Sequence, residues 1–239
     1  MDKKQLIGLA REVVDLHPGN LQDPEDLLTN HLPTTYDIAH ETSELIAGNY
    51  QRIGDTLDAK MIAIAGGLHD IGRPLNADQE FHEIRGYWFI RDRGLEYGVA
   101  ESQEIVDKIA RIMLPHGSVY ETFVSDEYSG KRIAFLKENE NYIERFGAIA
   151  PEDLLPSTLS QAIVDYAELS NLKGKRVDYR ERLKEAIHRY KEKRDPRADC
   201  IIAGSQRRIN LADKVASLRA SNFSEEEAIA LISNLRLIP

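Results

Sequence analysis

Apolar residues recur at helical spacing along nearly the whole chain of 239 residues, and this periodicity restricts the fold more than any other feature. Residues three and four apart share one face of a helix, whereas a half-buried strand needs strict alternation. The segment 3–16 shows the pattern and is followed by Pro18 and Gly19, which stop a helix. We therefore predict an all-α fold. We expect helices over about 3–16, 34–53, 57–70, 81–93, 99–113, 129–146, 156–169, 179–193, 206–220 and 224–235.

Two breaks in this pattern indicate how the chain is organised. Residues 151–156 and 194–199 combine proline with polar residues between helical segments. A composition that is 42% hydrophobic is sufficient for one sizeable core. We predict a main domain over residues 1–195, and a C-terminal helical extension over residues 196–239 that packs on the same unit.

The composition excludes several classes of protein. The only cysteine, Cys200, rules out an intrachain disulfide and any site with several cysteine ligands, and it suits the reducing cytoplasm, where we expect the chain to reside. The longest nearly apolar run, residues 61–68, is far shorter than the roughly 20 residues of a membrane span. Charged residues interrupt the N-terminal apolar stretch, so we expect neither a secretory signal nor a membrane partner.

The charge balance bears on the partners of the chain. There are 40 acidic and 31 basic residues, and a net charge of −9 disfavours dedicated nucleic-acid binding, which needs clustered lysine and arginine. In the most basic segment, residues 175–197, positive and negative side chains interleave at helical spacing. We interpret it as a solvated, ion-paired helix in preference to a polyanion site. A local basic pocket for a small phosphate stays open.

A histidine and an aspartate stand side by side, as His69 and Asp70, at the expected end of one helix. At a helix end both side chains can lean over the terminus and bind one divalent cation. Such a site needs further ligands from other helices. His40 lies 29 residues earlier on the preceding expected helix, and an antiparallel helix pair could bring it beside the doublet.

Several motifs in order resemble those of the HD-domain metal-dependent phosphohydrolases. That family has a histidine, then a His-Asp doublet, then a distant acidic residue on a helical core. The resemblance implies an HD-domain-like helical bundle over about residues 34–183. The motifs are TTYDIAHETSELIA with His40, GLHDIGRP with His69 and Asp70, FHEIRGYWFIRDRG with His82, and IARIMLPHGS with His116.

The closing acidic ligand departs from the family pattern. In YAELSNLKGKRVDYRERL, Glu168 stands where the family has aspartate. Asp165 lies three residues earlier on the same helical face and could bind the metal instead, with Glu168 acting through water. Both stay open. Asp213, in an Ala-Asp-Lys triplet, lies too far along the chain, and we interpret it as an ion-paired surface residue.

The resemblance implies hydrolysis of a phosphoester of a small metabolite or nucleotide. His40, His69, Asp70 and one of the two acidic residues would hold a divalent ion (Mn, Co, Ni, Fe or Zn). Such an ion lowers the pKa of its water and polarises a phosphoryl oxygen. We expect Asp70 to orient the attacking water. Arg73 replaces the usual lysine of the family, and its guanidinium can bind a phosphate, although a role at the end of the helix is equally compatible.

His82 and His116 are the remaining histidines of interest. In related domains extra histidines contact the phosphate or bind a second metal, and we expect both to contribute to substrate binding. Two metals would also permit phosphodiester cleavage or, with iron, oxygenase chemistry. Two rivals to the hydrolase therefore stand: a non-catalytic binding or signalling module, in which Glu168 weakens metal binding, and a di-iron oxygenase.

Overall fold

The computed structural model describes residues 1–235 and shows an all-α bundle, as predicted. The helices of the first half are α1 Lys3–Leu16, α2 Pro24–Asp26, α3 Leu32–Asn49, α4 Gln51–Gly54, α5 Ala59–Leu68, α6 His82–Arg93 and α7 Gln103–Met113. Those of the second half are α8 Val119–Val124, α9 Ser129–Glu138, α10 Glu140–Phe146, α11 Leu159–Leu169, α12 Tyr179–Glu192, α13 Arg197–Arg219 and α14 Glu225–Ser233.

Short elements connect these helices. One π-turn, Leu27–His31, leads directly into α3. Short 3-10 turns cover Arg73–Leu75, Asp126–Tyr128 and Pro151–Leu154. Strands β1 (Asn171–Leu172) and β2 (Lys175–Arg176) form a two-residue antiparallel hairpin between α11 and α12, in which Asn171 pairs with Arg176 and Leu172 with Lys175.

Side-chain caps begin several helices where the sequence places a suitable residue. Asp2 accepts a hydrogen bond from the backbone N–H of Gln5 and starts α1, which spans the predicted residues. Thr158 likewise accepts from the backbone N–H of Gln161 and starts α11. These bonds satisfy N–H groups that the first helical turn leaves without partners, and each is worth about 1 kcal/mol.

The pair α3 and α5 forms the centre of the bundle, and α7 and α11 pack around it. Gly66 of α5 meets α3 so closely that an added Cβ would lie 2.9 Å from the Ala39 Cβ and 3.3 Å from the Thr35 carbonyl oxygen. The absence of a side chain at Gly66 therefore sets the close approach of the two helices. Because His69 at the end of α5 lies beside His31 at the start of α3, the pair is antiparallel.

Three expected helices differ most from the observed ones. The expected helix 129–146 is divided at Asn139 into α9 and α10. The expected helix 34–53 starts earlier, at Leu32, and ends at Asn49, where the extended backbone of Tyr50 separates it from α4. The helix expected over 206–220 begins earlier, at Arg197, and runs without a break from Pro196.

The C-terminal helices share the core of the rest of the chain. Leu211, Val215 and Leu218 of α13 are buried in the same apolar cluster as α3 and α11. The division at residue 195 remains a prediction. Within residues 1–235, no helix combines the length and the apolar character that a membrane crossing requires.

Candidate metal centre

The His-Asp doublet lies at the carboxyl end of α5, where the sequence pattern places it. Helix α5 ends at Leu68, and both side chains are buried, with 0% of His69 and 2% of Asp70 exposed. The next turn passes against the start of α6: a Cβ added to Gly72 would lie only 1.8 Å from the carbonyl oxygen of His82. This contact between backbones brings α6, and His82 with it, to the doublet.

Four histidines surround the carboxylate of Asp70. On one side, Oδ2 lies 3.1 Å from Nε2 of His31 and 3.5 Å from Nε2 of His69. On the other side, Oδ1 lies 2.9 Å from Nε2 of His82 and 3.6 Å from Nε2 of His116. The donors thus form two groups that share Asp70, namely His31, His69 and Asp70, and Asp70, His82 and His116. Each group has the donor types that hold a divalent transition metal.

Three of these imidazoles are oriented in the same way. Nδ1 of His69 lies 2.6 Å from the carbonyl oxygen of Gly66, three residues earlier. Nδ1 of His82 contacts the carbonyl of Gln79 at 3.0 Å, and Nδ1 of His116 that of Met113 at 2.6 Å, also three residues earlier. A carbonyl only accepts, so each Nδ1 carries a proton, and Nε2 is the atom that each ring turns towards Asp70. Such outer bonds orient metal-binding histidines.

Buried polar atoms in the centre lack hydrogen-bond partners within the described residues. They are Oδ1 of Asp70, Nε2 of His82 and Nε2 of His116. Leaving such an atom unpaired costs about 1–3 kcal/mol. A shared divalent cation would satisfy all three atoms at once, so the residues present fit a metal ion.

The charges of the two central histidines differ. Burial lowers the pKa of His69 to about 3, so its imidazole is neutral at physiological pH, as a metal ligand must be. Burial also acts to lower the pKa of His116, but the nearby carboxylates of Asp70 and Glu83 outweigh it and raise that pKa to about 9. Without a cation His116 is therefore protonated, and a metal would replace that proton.

His40 does not reach the doublet. It lies in the middle of α3, where Nδ1 is 3.5 Å from Oε2 of Glu44 and the ring stacks on Tyr36. His31 stands beside His69 instead, with the two Nε2 atoms 3.1 Å apart. The antiparallel pairing of α3 with α5 explains this, since the end of one helix meets the start of the other. The same reasoning, applied to the sequence, favours a histidine just before the helix over one in its middle.

The two acidic residues of α11 both bind Arg208 of α13. Asp165 accepts from Nη2 of Arg208 at 2.8 Å and from the backbone N–H of Gly117 at 3.0 Å. Glu168 accepts from the same Nη2 at 2.5 Å and borders the cavity. Asp165 thus holds the loop that carries His116, and Glu168 is the one of the two that faces the centre.

Arg208 also determines the charge of Glu168. Burial acts to raise the pKa of Glu168, but Arg208 and then protonated His116 outweigh it and lower that pKa. The carboxylate is therefore ionised beside the histidines. Asp213, the third acidic residue considered, pairs instead with Tyr179 and Arg180.

Arg73 lies against the doublet, with Nε 2.6 Å from Oδ2 of Asp70. Burial acts to raise the pKa of Asp70, but the charge of Arg73 outweighs it and helps to hold that pKa well below its usual value. Arg73 also borders the cavity, so the side of its guanidinium away from Asp70 can meet a ligand. Both roles that the sequence left open, holding the helix end and binding an anion, are compatible with this position.

Besides Arg208, three residues of the site were not predicted from the sequence. They are His31, Glu83 and Asn171. Glu83 is buried beside His82, with Oε2 3.4 Å from its Nδ1. Asn171 donates from Nδ2 to the carbonyl oxygen of His31 at 2.8 Å and so holds the end of the π-turn. Glu83 could have been identified from the sequence because it is adjacent to His82. Asn171 could not, because 140 residues separate it from His31.

A cavity of about 500 Å³ opens over the centre. Its floor is formed by Asp70 and three of the histidines, and helix α12 and the start of α13 form one wall. Acidic residues from the segments before α3 and α6 also line the cavity. The volume is in the range of small-molecule sites.

Known proteins offer no further guide to this site. The chain matches no family model, no curated protein and no solved structure.

Proposed function

We propose that this chain is an HD-type metal-dependent phosphohydrolase, which cleaves a phosphoester of a small metabolite or nucleotide at the centre around Asp70. The observation that carries the proposal is the set of three imidazoles whose Nδ1 atoms are bound to carbonyls and whose Nε2 atoms face one carboxylate. The ordered motifs of the sequence, which resemble the HD family, support the same conclusion. A cytoplasmic location remains a prediction.

The chain would hold divalent ions with two sets of residues. His31, His69 and Oδ2 of Asp70 form one set, and Oδ1 of Asp70, His82 and His116 form the other. Mn, Co, Ni, Fe and Zn all accept this combination of imidazole and carboxylate. A bound divalent ion lowers the pKa of its water towards neutrality and polarises a phosphoryl oxygen.

The residues of the site have distinct roles in the hydrolysis. Arg73 binds a phosphoryl oxygen, and Asp70 orients the water that attacks phosphorus. As the new P–O bond forms, the ester P–O bond breaks and the leaving oxygen takes up a proton from solvent. One proton of the water passes to a carboxylate at the border of the cavity. Glu83, beside His82, is placed to accept it.

The test is metal analysis of protein purified without chelator, combined with hydrolysis of p-nitrophenyl phosphate and bis-p-nitrophenyl phosphate. We expect at least one metal equivalent in the wild type and none in the double variant His69→Ala/Asp70→Ala. His31→Ala should bind metal at least about 10-fold more weakly, since even the outer partners of a ligand contribute about 10–100-fold.

His40→Ala is the matched control, because His40 is a histidine of the same helix region that lies away from Asp70. It should keep the wild-type metal content and activity. A wild type that binds none of the five metals, or that hydrolyses neither ester when loaded, refutes the hydrolase. The first result would leave a metal-free binding module, in which protonated His116 pairs with Asp70.

The number of donors favours one alternative activity, a di-iron oxygenase. Four histidines, Asp70 and Glu168 border or form the centre, which makes six donors, as many as two irons with open positions need. Coloured protein with two irons, oxygen uptake with a phosphorylated compound and no hydrolysis of either ester would establish this alternative and refute the hydrolase.

A further inference from the structure

One face of α12 forms a wall of the cavity. Its lining residues are Arg182, Ala186, Arg189, Tyr190 and Lys193. Successive members lie three or four positions apart, except for the adjacent pair Arg189 and Tyr190, so they form a single stripe along the helix. From Arg182 to Lys193 the stripe extends about 16 Å, because a helix rises about 1.5 Å per residue.

The charges of α12 are sorted between this stripe and the rest of the helix. The stripe carries three cations: Arg182, Arg189 and Lys193. The acidic residues of the helix are Glu181, Glu185 and Glu192, and none of them is among the described residues that line the cavity. The interleaved charges of the sequence thus become a cationic face towards the cavity and a mixed face towards solvent.

Neighbouring groups hold the two arginines of the stripe in place. Arg182 donates from Nε to the carbonyl oxygen of Asn171 at 3.1 Å, and its Nη1 pairs with Glu185. Arg189 is paired from the side, with Nε 3.3 Å from Oε1 of Glu185. The guanidinium groups of Arg189 and of Arg197, at the start of α13, lie 5.2 and 5.0 Å from the centre of the Tyr190 ring. A row of cations held before a ligand arrives suits a chain of negative charges.

Acidic side chains also line the cavity, outside α12. They include Asp23, Asp26, Asp78 and Glu80, of which Asp78 pairs with Arg85 and Glu80 with Lys131. A polyanion is therefore directed to the cations of the stripe, whereas an uncharged part with hydroxyl or amino groups can donate to these carboxylates. One phosphoryl group requires only Arg73 and the metal centre, so the stripe can meet further phosphates.

We propose that the substrate is an organic compound with two or more linked phosphates, of which one reacts at the Asp70 centre and the others lie along Arg182, Arg189 and Lys193. This inference rests on the proposed function. It restricts the proposed substrate class to organic polyphosphates. The cations of α12 would select these compounds over monophosphates.

The test is isothermal titration calorimetry of the metal-loaded full chain with inorganic tripolyphosphate and with orthophosphate. We expect tripolyphosphate to bind at least 10-fold more tightly in the wild type. Arg189→Gln/Lys193→Gln should weaken tripolyphosphate binding at least 10-fold, since one hydrogen bond to a charged group is worth about that factor. Lys184→Gln/Lys191→Gln removes the same charge from exposed positions away from the cavity, and should leave tripolyphosphate binding unchanged.

Tripolyphosphate can also remove metal from the protein. The control double variant corrects the binding data for this effect, because both double variants keep the same metal centre. Equal affinity of the wild type for the two anions, or an equal loss in both double variants, overturns the inference. Hydrolysis of p-nitrophenyl phosphate by the wild type separates this failure from failure of the proposed function. If the ester is cleaved while the anions bind alike, only the polyphosphate inference fails.

Discussion

The close contact between Gly72 and the start of α6 leads to a sharp prediction for Gly72→Ala. The backbone of Gly72 has φ −76° and ψ −16°, which alanine adopts without strain, so only packing is changed. An added Cβ would lie 1.8 Å from the His82 carbonyl oxygen and 2.6 Å from the Gly86 nitrogen. Since such contacts stay above 3.0 Å, α6 must move away by about 1.2 Å.

The size of the effect follows from this displacement. Overpacking costs about 1–3 kcal/mol, and the upper end applies because both obstructing groups are backbone atoms. For a chain of this length, about 3 kcal/mol lowers the Tm by about 6–12 °C. The shift also separates Nε2 of His82 from Oδ1 of Asp70, now 2.9 Å apart, so the group with His116 should lose its metal.

Two measurements check the prediction for Gly72→Ala. Scanning calorimetry of chelator-treated protein gives the Tm, and elemental analysis gives the metal equivalents. The matched control is Gly8→Ala in α1, where an added Cβ meets nothing within 4 Å. It should gain about 0.5–1 kcal/mol of helix stability. A Gly72→Ala protein with the Tm and metal content of the wild type would show that this contact does not position His82.

Three further perturbations give measurable outcomes. Removal of metal with a chelator should lower the Tm by several degrees, because a ligand at 100 times its Kd contributes about 2.7 kcal/mol, and a Tm unchanged by chelator would count against the metal centre. Burial acts to raise the pKa of Glu41, but hydrogen bonds from Arg176 and then Arg219 outweigh it and lower that pKa. The resulting stabilisation is present above the unfolded pKa and is lost as pH falls through the folded pKa. Urea titrations should therefore show a deficit of under about 1 kcal/mol for Glu41→Gln at neutral pH, since the pair is partly exposed, and none in strong acid; a deficit that persists in acid contradicts the assignment. Trp88 is 1% exposed and stacks on Phe135, with ring centres 5.6 Å apart. Trp88→Ala should lower the free energy of unfolding by about 3–5 kcal/mol, and Trp88→Phe by much less, as measured by circular dichroism during urea unfolding. Equal losses in the two variants would refute the packing argument.

Much of the fold could be predicted from the sequence, because local spacing determines it. The 3.6-residue period and the stop at Pro18 and Gly19 define α1, and the run that ends at the His-Asp doublet defines α5. The errors lie where the local signal is weak. Asn139 divides one expected helix, and the first turns of α13 after Arg197 group their apolar residues in one run, with little periodicity.

The candidate site could be predicted in part, for the same reason. His69, Asp70, His82 and His116 stand in short motifs, and the structure brings all four together. His31 could not be distinguished from His40 by such motifs. They are nine residues apart, about 14 Å along a helix, and the choice depends on which end of α3 meets α5.

The sequence by itself determined the all-α class, the position of α5 and the residue types available to bind a metal. Only the tertiary structure decided that His31 belongs to the centre, that Arg208 binds both Asp165 and Glu168, and that the cations of α12 face a cavity. The physical reason is the range of the interactions. Helix periodicity and capping involve residues within a few positions of one another, whereas the site joins side chains up to 177 residues apart, from His31 to Arg208, through the packing of whole helices.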